Sequence, residues 1–500
     1  MLSTLWNIDW SHISDKALEL LKYNEQEPML FNSGLFLYLF IGFSLGYALL
    51  SRASSLRIIY VILFSLFFYY KSSGIYFMLL IFVSICDYIF AQQMARTTNK
   101  GKRKLWVVAS VLVNLGLLGY FKYTKFFFAD IFGANFMDFD SIFLPVGISF
   151  FVFQSMSYTI DTYRGSITPL SNYFDYLFYL SFFPQIVAGP IVRAKDFIPQ
   201  IRKPLAITRR MFGTGIALII IGLIKKAVIS DYISLNFVDS IFNDPTAHTG
   251  FECLLGVYGY ALQIYCDFSG YSDMAIGIAL LLGFHFPKNF DAPYKSATIT
   301  EFWRRWHISL SSWLRDYLYI SLGGNRKGKT RQYFNLIITM VLGGLWHGAA
   351  LRFILWGALH GLALAIHKIW LAIIPGAKML GKDMKPFWRL LGIILTFHVV
   401  CLGWILFRAN DMEQFYAILH QIYYNFNPEI APQIWDNFKI VCIMIIIGYV
   451  MHFLSTKRCE RMKEWVAERG FFMQALLLVA TIWLVMQFKT GVQPFIYFQF

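Results

Sequence analysis

The feature that most limits the fold of this chain is its succession of long apolar runs. They lie near residues 35–50, 58–70, 75–91, 105–121, 173–191, 212–229 and 254–282. After an amphipathic break they resume near 336–345, 353–374, 387–407, 440–454 and 471–488. Several reach the roughly 17–20 residues that a helix needs to cross the hydrocarbon of a bilayer. Backbone polar groups in lipid must be paired internally, which leaves helices or a closed barrel. No period-two alternation runs through these segments, so helices remain. Only 15% of the 500 residues are charged and 57% are hydrophobic, whereas a soluble domain averages about 25% charged. So little charge cannot cover a water-facing surface, and lipid has to solvate much of the chain. The expected fold is an all-α polytopic membrane protein of roughly ten to twelve crossings. It forms one membrane-embedded domain over residues 1–500, without soluble module, long linker or repeat.

The formal net charge of +15 does not indicate a nucleic-acid partner, because no soluble basic module exists to carry one. The basic residues sit in short loops between apolar runs, where cytoplasmic segments place them. Arg96, Lys100, Lys102, Arg103 and Lys104 form one such loop without any acid, and residues 326–331, 378–389 and 457–469 read the same way. Residues 130–141, 231–252 and 409–437 hold acids and neither Lys nor Arg, so they read as external. On this scheme both termini lie outside. Asp9, Asp15, Glu19, Glu25 and Glu27 oppose the basic start of a cleavable leader, so the run at 35–50 is expected to be a permanent membrane helix. The six cysteines are scattered with no C-x-x-C pair, and read as buried apolar side chains. Two runs contain helix breakers among aromatics, Leu144-Pro-Val-Gly-Ile-Ser149 and Phe182-Phe-Pro-Gln-Ile-Val-Ala-Gly-Pro190. Irregular backbone at membrane depth is tolerated where protein or water surrounds it, so both are expected to line a cavity.

Residues 300–322 carry the densest chemistry. Drawn as one helix, they gather Trp303, Trp306, Leu310, Trp313, Leu314 and Tyr317 on one stripe. Arg304, Arg305, Ser309, Ser312, Arg315 and Asp316 lie opposite, with His307 at the seam. Such a helix belongs at the interface, its tryptophans among headgroups or packed protein. His307 alone reads as a hydrogen-bonded structural imidazole. The adjoining Arg304 and Arg305, with the Arg315–Asp316 pair, add a functional reading: they are able to hold an anionic ligand and orient the ring.

The second element is Leu342-Gly-Gly-Leu-Trp346-His347-Gly348-Ala-Ala350. Ionisable residues inside membrane segments are rare and functional by default. Glycines on either side of His347 are expected to let a substrate approach its imidazole. A neutral imidazole is suited to taking a proton from an attacking hydroxyl. His360, His367 and His398 read as structural, and no zinc-type spacing joins the histidines, so no metal is expected. Gly323-Gly-Asn-Arg-Lys-Gly328-Lys329-Thr330 satisfies the G-x-x-x-x-G-K-[ST] pattern, but a nucleotide loop requires a preceding strand inside an α/β core. A basic glycine loop facing the cytoplasm retains one weaker use, attracting the phosphates of a nucleotide-bearing acyl donor. A serine nucleophile elbow, which needs a strand-to-helix turn, is not expected.

These residues resemble the membrane-bound O-acyltransferase superfamily, in its alginate O-acetyltransferase branch. The resemblance rests on Gln263-Ile-Tyr-Cys-Asp-Phe-Ser-Gly-Tyr-Ser-Asp273, Asn289-Phe-Asp-Ala-Pro-Tyr294, Phe302-Trp-Arg-Arg-Trp-His-Ile-Ser309, Leu322-Gly-Gly-Asn-Arg-Lys-Gly328 and Gly344-Leu-Trp-His-Gly348. The 183–190 segment and the closing Pro494-Phe-Ile-Tyr-Phe-Gln-Phe500 also match. The D-alanyl transfer protein of teichoic acid synthesis is a more distant relative. The resemblance implies a ring of helices around a tunnel, a catalytic core at residues 260–360 with its interface helix at 300–322, and His347 and His307 as the catalytic pair. It implies acetyl-CoA as co-substrate, with Arg304, Arg305, Asn325, Arg326 and Trp346 as donor-binding candidates. Trp303, Trp306 and Asp316 are orienting or structural, and no bound cofactor is implied. The partners implied are the lipid bilayer and a periplasmic SGNH-type acyltransferase or the polysaccharide itself, at a bacterial inner membrane. Leu351-Arg352-Phe353 departs from the family pattern, where a tryptophan-led segment is expected. Two other classes stay open on the residues alone: a transporter or flippase, and a non-catalytic scaffold of a polysaccharide-export assembly.

Overall fold

The computed structural model describes residues 19–25, 28–134, 138–187, 189–373, 385–488 and 495–496. Asp9, Asp15 and Glu27 lie outside the described residues, as do 374–384 of one basic loop and the closing motif apart from Phe495 and Ile496. Among the described residues the chain is helical and contains no strand, as apolar runs without alternation require.

Among the described residues, six helical runs are long and apolar enough to cross a membrane: Ser54–Ala95, Lys100–Tyr123, Arg209–Asn243, Leu351–Ile373, Pro386–Arg408 and Phe471–Phe488. The pair Pro428–Asn437 and Lys439–Phe453, bent by 102°, adds a seventh if it is one broken span. Ser54–Ala95 has 42 residues, about twice one crossing. Gly74 interrupts it at a φ of +58°, between the helices Ser54–Ser73 and Phe77–Ala95.

Uninterrupted spans are therefore fewer than the ten to twelve expected, because several apolar runs fold as shorter pieces. The run at 173–191 becomes the helix Tyr173–Ser181 and a single turn Phe183–Ile186. Its breakers act as their chemistry dictates. The run at 35–50 gives the 16-residue helix Gly34–Leu49.

The central strut is the 32-residue helix Gly250–Leu281. A capping box starts it: Glu252 N–H donates to the Thr249 hydroxyl, and Thr249 N–H donates to the Glu252 carboxylate at 2.8 Å. Most of its residues are buried, including Gln263, Asp267, Ser269 and Ser272. A charge buried at such depth needs a partner, and Asp267 pairs with Lys226 at 2.5 Å. Lys226 also meets Asp231 at 2.8 Å. Asp267 in addition accepts from the Ile496 N–H at 3.0 Å, which ties the C-terminal described residues to the middle of the protein.

Several spans contain π-helical turns. Lys100–Leu118 continues into Gly119–Tyr123 and Lys125–Ile131, and Ile308–Trp313 into Leu314–Tyr319. Such turns are rare and concentrate at functional sites. These two flank the histidines.

Candidate active site

The Lys329–His347 helix ends at His347, after which Gly348 adopts extended backbone. The last four carbonyls of a helix have no intrahelical partner. Here the Lys100–Tyr123 span supplies side-chain donors to three of the terminal carbonyls. The Tyr123 hydroxyl donates to Leu345 O at 2.7 Å. The Lys122 ammonium donates to Trp346 O at 2.8 Å and to His347 O at 2.9 Å. The turn that carries His347 is thus held from outside its own helix.

A Cβ on Gly344 would lie 2.1 Å from the Phe353 carbonyl oxygen, and one on Gly348 1.9 Å from the Phe353 ring. These glycines allow close packing with the Leu351–Ile373 helix. That corrects the expectation that they clear a path to the imidazole. The short link after His347 folds the next helix straight back, and Phe353 fills the space. The departure at 351–353 accordingly falls inside the site's wall, where Arg352 also donates to the carbonyls of Phe407 and Ala409.

Residues 300–322 do not form one helix. Ile299–Arg305 stops at Trp306, and Ile308–Trp313 begins after His307. Asn289 and Asp291 compete for the backbone groups that a continuous helix would use. Ile308 N–H donates to Asn289 O at 2.9 Å, and Ser309 N–H to Asn289 Oδ1 at 3.2 Å. Asp291 N–H takes the Arg305 carbonyl at 2.9 Å. His307 sits at the break with φ +42°, a left-handed conformation that is uncommon outside glycine and clusters at functional sites. It is fully buried, and Trp306 and Trp313 are buried with it. The single continuous helix is corrected: the break turns His307 inward, and Trp306 and Trp313 stand in packed protein, one of the two surroundings expected for them.

That turn brings the two histidines together. Their ring centroids lie 6.5 Å apart, although 40 positions separate His307 from His347 in sequence. Trp346 stands 6.0 Å from the His307 ring and 5.0 Å from that of His347. Phe268 closes on His307 at 4.6 Å, and Trp356 on His347 at 5.0 Å.

A cavity of about 70 Å³ opens beside His347, lined by Lys122, Trp346, His347 and residues 144–150. The breaker segment at 144–149 therefore lines a cavity, as expected. The other backs it: a Cβ on Gly147, whose φ is +75°, would lie 2.4 Å from Ile186 O. This pocket lies at the end of the Lys100–Tyr123 span opposite the basic loop at 96–104.

The remaining candidates scatter. Arg304 is exposed, whereas Arg305 is held by Glu301 at 2.8 Å and Asp291 O at 2.9 Å. Asn325 and Arg326 lie exposed on the glycine loop, which Asn335 anchors through Gly324 O at 2.9 Å. A helical turn precedes that loop and a helix follows, so the nucleotide-loop geometry is missing. Trp303 packs edge-on to His360 at 5.2 Å, and Trp306 against Trp404 at 4.8 Å. Asp316 accepts from Arg193 at 2.9 Å and Arg315 at 2.6 Å. His360 is enclosed by Phe302, Trp303 and Trp356. His367 meets the Thr300 hydroxyl at 2.7 Å, and His398 that of Tyr258 at 2.9 Å. Among the described residues no group of three or more His, Cys, Asp or Glu is placed to hold a metal.

Asn289, Lys122 and Tyr123 were not singled out as site residues in the sequence. Lys122 carried a signal as a charge near the end of an apolar run, and Asn289 opens one of the motifs that carry the resemblance.

Residues 163–403, which include both histidines and Asn289 but not Lys122, Tyr123 or the cavity wall at 144–150, match the profile of the membrane-bound O-acyltransferase family. A probable alginate O-acetylase of Pseudomonas syringae pv. tomato is 41% identical over 393 residues, 77% of this chain and 73% of the relative. The chain belongs to the membrane-bound O-acyltransferase family. It is a multi-pass membrane acyltransferase. A peptidoglycan O-acetyltransferase of Helicobacter pylori is 33% identical to this acyltransferase across 94% of the chain and 98% of the relative. A teichoic acid D-alanyltransferase of Bacillus subtilis is 31% identical across 54% of the chain and 69% of the relative.

Proposed function

We propose that this acyltransferase moves an acetyl group from cytoplasmic acetyl-CoA across the bacterial inner membrane, for O-acetylation of an extracytoplasmic polysaccharide. Delivery is direct or passes through a periplasmic SGNH-type partner. The observation that carries the reading is the pairing of His307 and His347, with ring centroids 6.5 Å apart, beside a cavity at the end of the span opposite a basic loop. The relatives named for alginate and peptidoglycan O-acetylation support a carbohydrate acceptor.

Residues 260–360, including the 300–322 segment, carry the chemistry on this reading. His347 takes the proton of the acceptor hydroxyl as its oxygen attacks the thioester carbonyl. The new O–C bond forms, the C–S bond breaks, and the proton passes to the departing thiolate of coenzyme A. His307 orients the donor or stabilises the charge that develops on the carbonyl oxygen. Arg304, Asn325 and Arg326, all exposed, steer the donor's phosphates; Arg305 holds the segment that carries Arg304, and Asn335 the loop that carries the other two. Trp346 forms the wall shared by both imidazoles. On this reading the N-terminus lies in the periplasm, which the positive-inside pattern of the loops supports.

The test is acetyl transfer by the purified protein from radiolabelled acetyl-CoA. His347→Ala is expected to lose transfer by at least about 100-fold while eluting as the wild type does in size-exclusion chromatography. Undiminished transfer by that variant overturns the assignment.

A further inference from the structure

A second cavity, of about 270 Å³, shares no lining residue with the one beside His347. Its walls include Tyr47, Arg57, Lys203, Leu205, Met211 and His285, and no Asp or Glu. It lies where the Arg209–Asn243 span begins and the Gly250–Leu281 helix ends. The acids of 231–252 stand toward the opposite ends of both, so the cavity belongs to the basic side. Hydrogen bonds between four segments set its shape. The Tyr47 hydroxyl donates to Leu282 O at 2.7 Å, and His285 N–H to Gln200 Oε1 at 2.8 Å. Arg57 is only 4% exposed. Its guanidinium donates to Ser51 O at 3.1 Å and Lys203 O at 3.2 Å, and lies 6.0 Å from the centre of the Tyr47 ring. Among the described residues no carboxylate meets it. A buried cation with five N–H donors and only neutral partners is costly. An anion that reaches it is held by charge-assisted hydrogen bonds. Lys203 and His285, both exposed, add donors at the mouth.

We propose that this cavity seats the phosphate of an anionic phospholipid headgroup, from the leaflet on the basic side of the membrane. The helices that supply Tyr47 and Arg57 argue for a lipid over a soluble anion, because both turn apolar faces outward. Ile41, Leu45 and Leu49 are exposed on the first, and Leu56, Ile59 and Leu63 on the second. Such faces are solvated by acyl chains. A phospholipid satisfies them and the guanidinium together, whereas a free phosphate meets only the guanidinium. Basic pockets between membrane helices on the positive side bind anionic headgroups in this way. The inference goes beyond the proposed function and does not rest on it, since no acyl-transfer step uses Arg57 or Lys203.

The experiment is native mass spectrometry of the delipidated full-length protein in a neutral detergent. It is titrated with phosphatidylglycerol and, separately, with phosphatidylcholine of the same chains. Wild type is expected to bind the first phosphatidylglycerol about tenfold more tightly or better, the scale of two nearby cations acting on one net headgroup charge. Lys203→Gln is expected to cut that preference about fivefold, and Arg57→Gln by at least as much. Lys203 serves the fold through its backbone carbonyl, so its variant decides the matter even if Arg57→Gln does not fold. Comparing the two lipids removes the non-specific attraction of a basic protein for anionic lipid, which the variants share with the wild type. Equal affinities in the wild type or a preference that Lys203→Gln leaves unchanged overturns the proposal. So does displacement of phosphatidylglycerol by coenzyme A, which would mark the cavity as a site for a soluble phosphate.

Discussion

At the scale of single residues, the site depends on backbone conformations that side chains from elsewhere impose. His307 holds a left-handed conformation, which costs an L-residue roughly 1–2 kcal/mol. The cost is offset by Asn289, whose carbonyl and amide oxygens collect three hydrogen bonds from Ile308 and Ser309. Two variants separate backbone from imidazole. His307→Gly relieves the strain and is expected to match or exceed wild-type thermal stability while losing acetyl transfer. His307→Val should lose both, melting below the glycine variant by a margin that corresponds to about 1–2 kcal/mol. Asn289→Ala removes the acceptor for the Ser309 N–H and hydroxyl, and should destabilise by about 1–3 kcal/mol. Thermal denaturation in detergent reads these changes, with activity on the same samples. A stable His307→Gly protein with full activity would mean that the residue serves only the chain's turn.

At the scale of elements, the Lys329–His347 helix is fixed at its end by the Lys100–Tyr123 span and along its side by the Leu351–Ile373 helix. The second contact relies on bare Cα atoms, since a Cβ on Gly344 would come within 2.1 Å of Phe353 O. Backbone at that distance cannot yield as a flexible side chain would. Gly344→Ala is therefore expected to push the helices apart, lowering the yield of folded protein and cutting transfer by roughly tenfold or more. Tyr123→Phe removes one hydrogen bond to Leu345 O and leaves the packing. It should cost about 0.5–1.5 kcal/mol of stability and reduce transfer less than Gly344→Ala does. The order of the two variants in a parallel assay tests whether packing or capping governs His347. Several elements of this kind were partly legible. The breakers at 144–149 announced irregular backbone at a cavity, and those at 182–190 irregular backbone behind its wall, because Pro and Gly interrupt helices for local reasons. The break at Trp306–His307 was not legible, because nothing inside 300–322 opposes a helix there. The competing partners come from elsewhere in the chain: acceptors from Asn289 and a donor, its N–H, from Asp291.

At the scale of the whole molecule, the proposed acyl route runs from the side of the basic loop at 96–104 to that of the acid-bearing loop at 130–141. Single cysteines placed at Lys102 and Asp140 in a background where Cys86, Cys253, Cys266, Cys401, Cys442 and Cys459 are replaced by Ala or Ser test this orientation. A membrane-impermeant maleimide applied to intact spheroplasts is expected to label position 140 and to reach position 102 only after the membrane is opened. The opposite pattern would invert the sidedness on which the acyl route depends. The shortfall in uninterrupted spans belongs to this scale too. Apolarity counts segments that must avoid water, and protein packing satisfies that requirement as well as lipid does, as the largely buried Gly250–Leu281 helix illustrates.

The sequence by itself determined the class of fold and the family, and it singled out His307 and His347 as candidates, because apolar length, loop charge and short motifs are properties of contiguous residues. Tertiary structure decided how those histidines meet, what turns His307 inward, and which lysine stands over the pocket. Each of these is set by a hydrogen bond or packing contact between segments far apart along the chain. The energy of such a contact appears only when both partners are in place, and periodicity within either segment does not encode it.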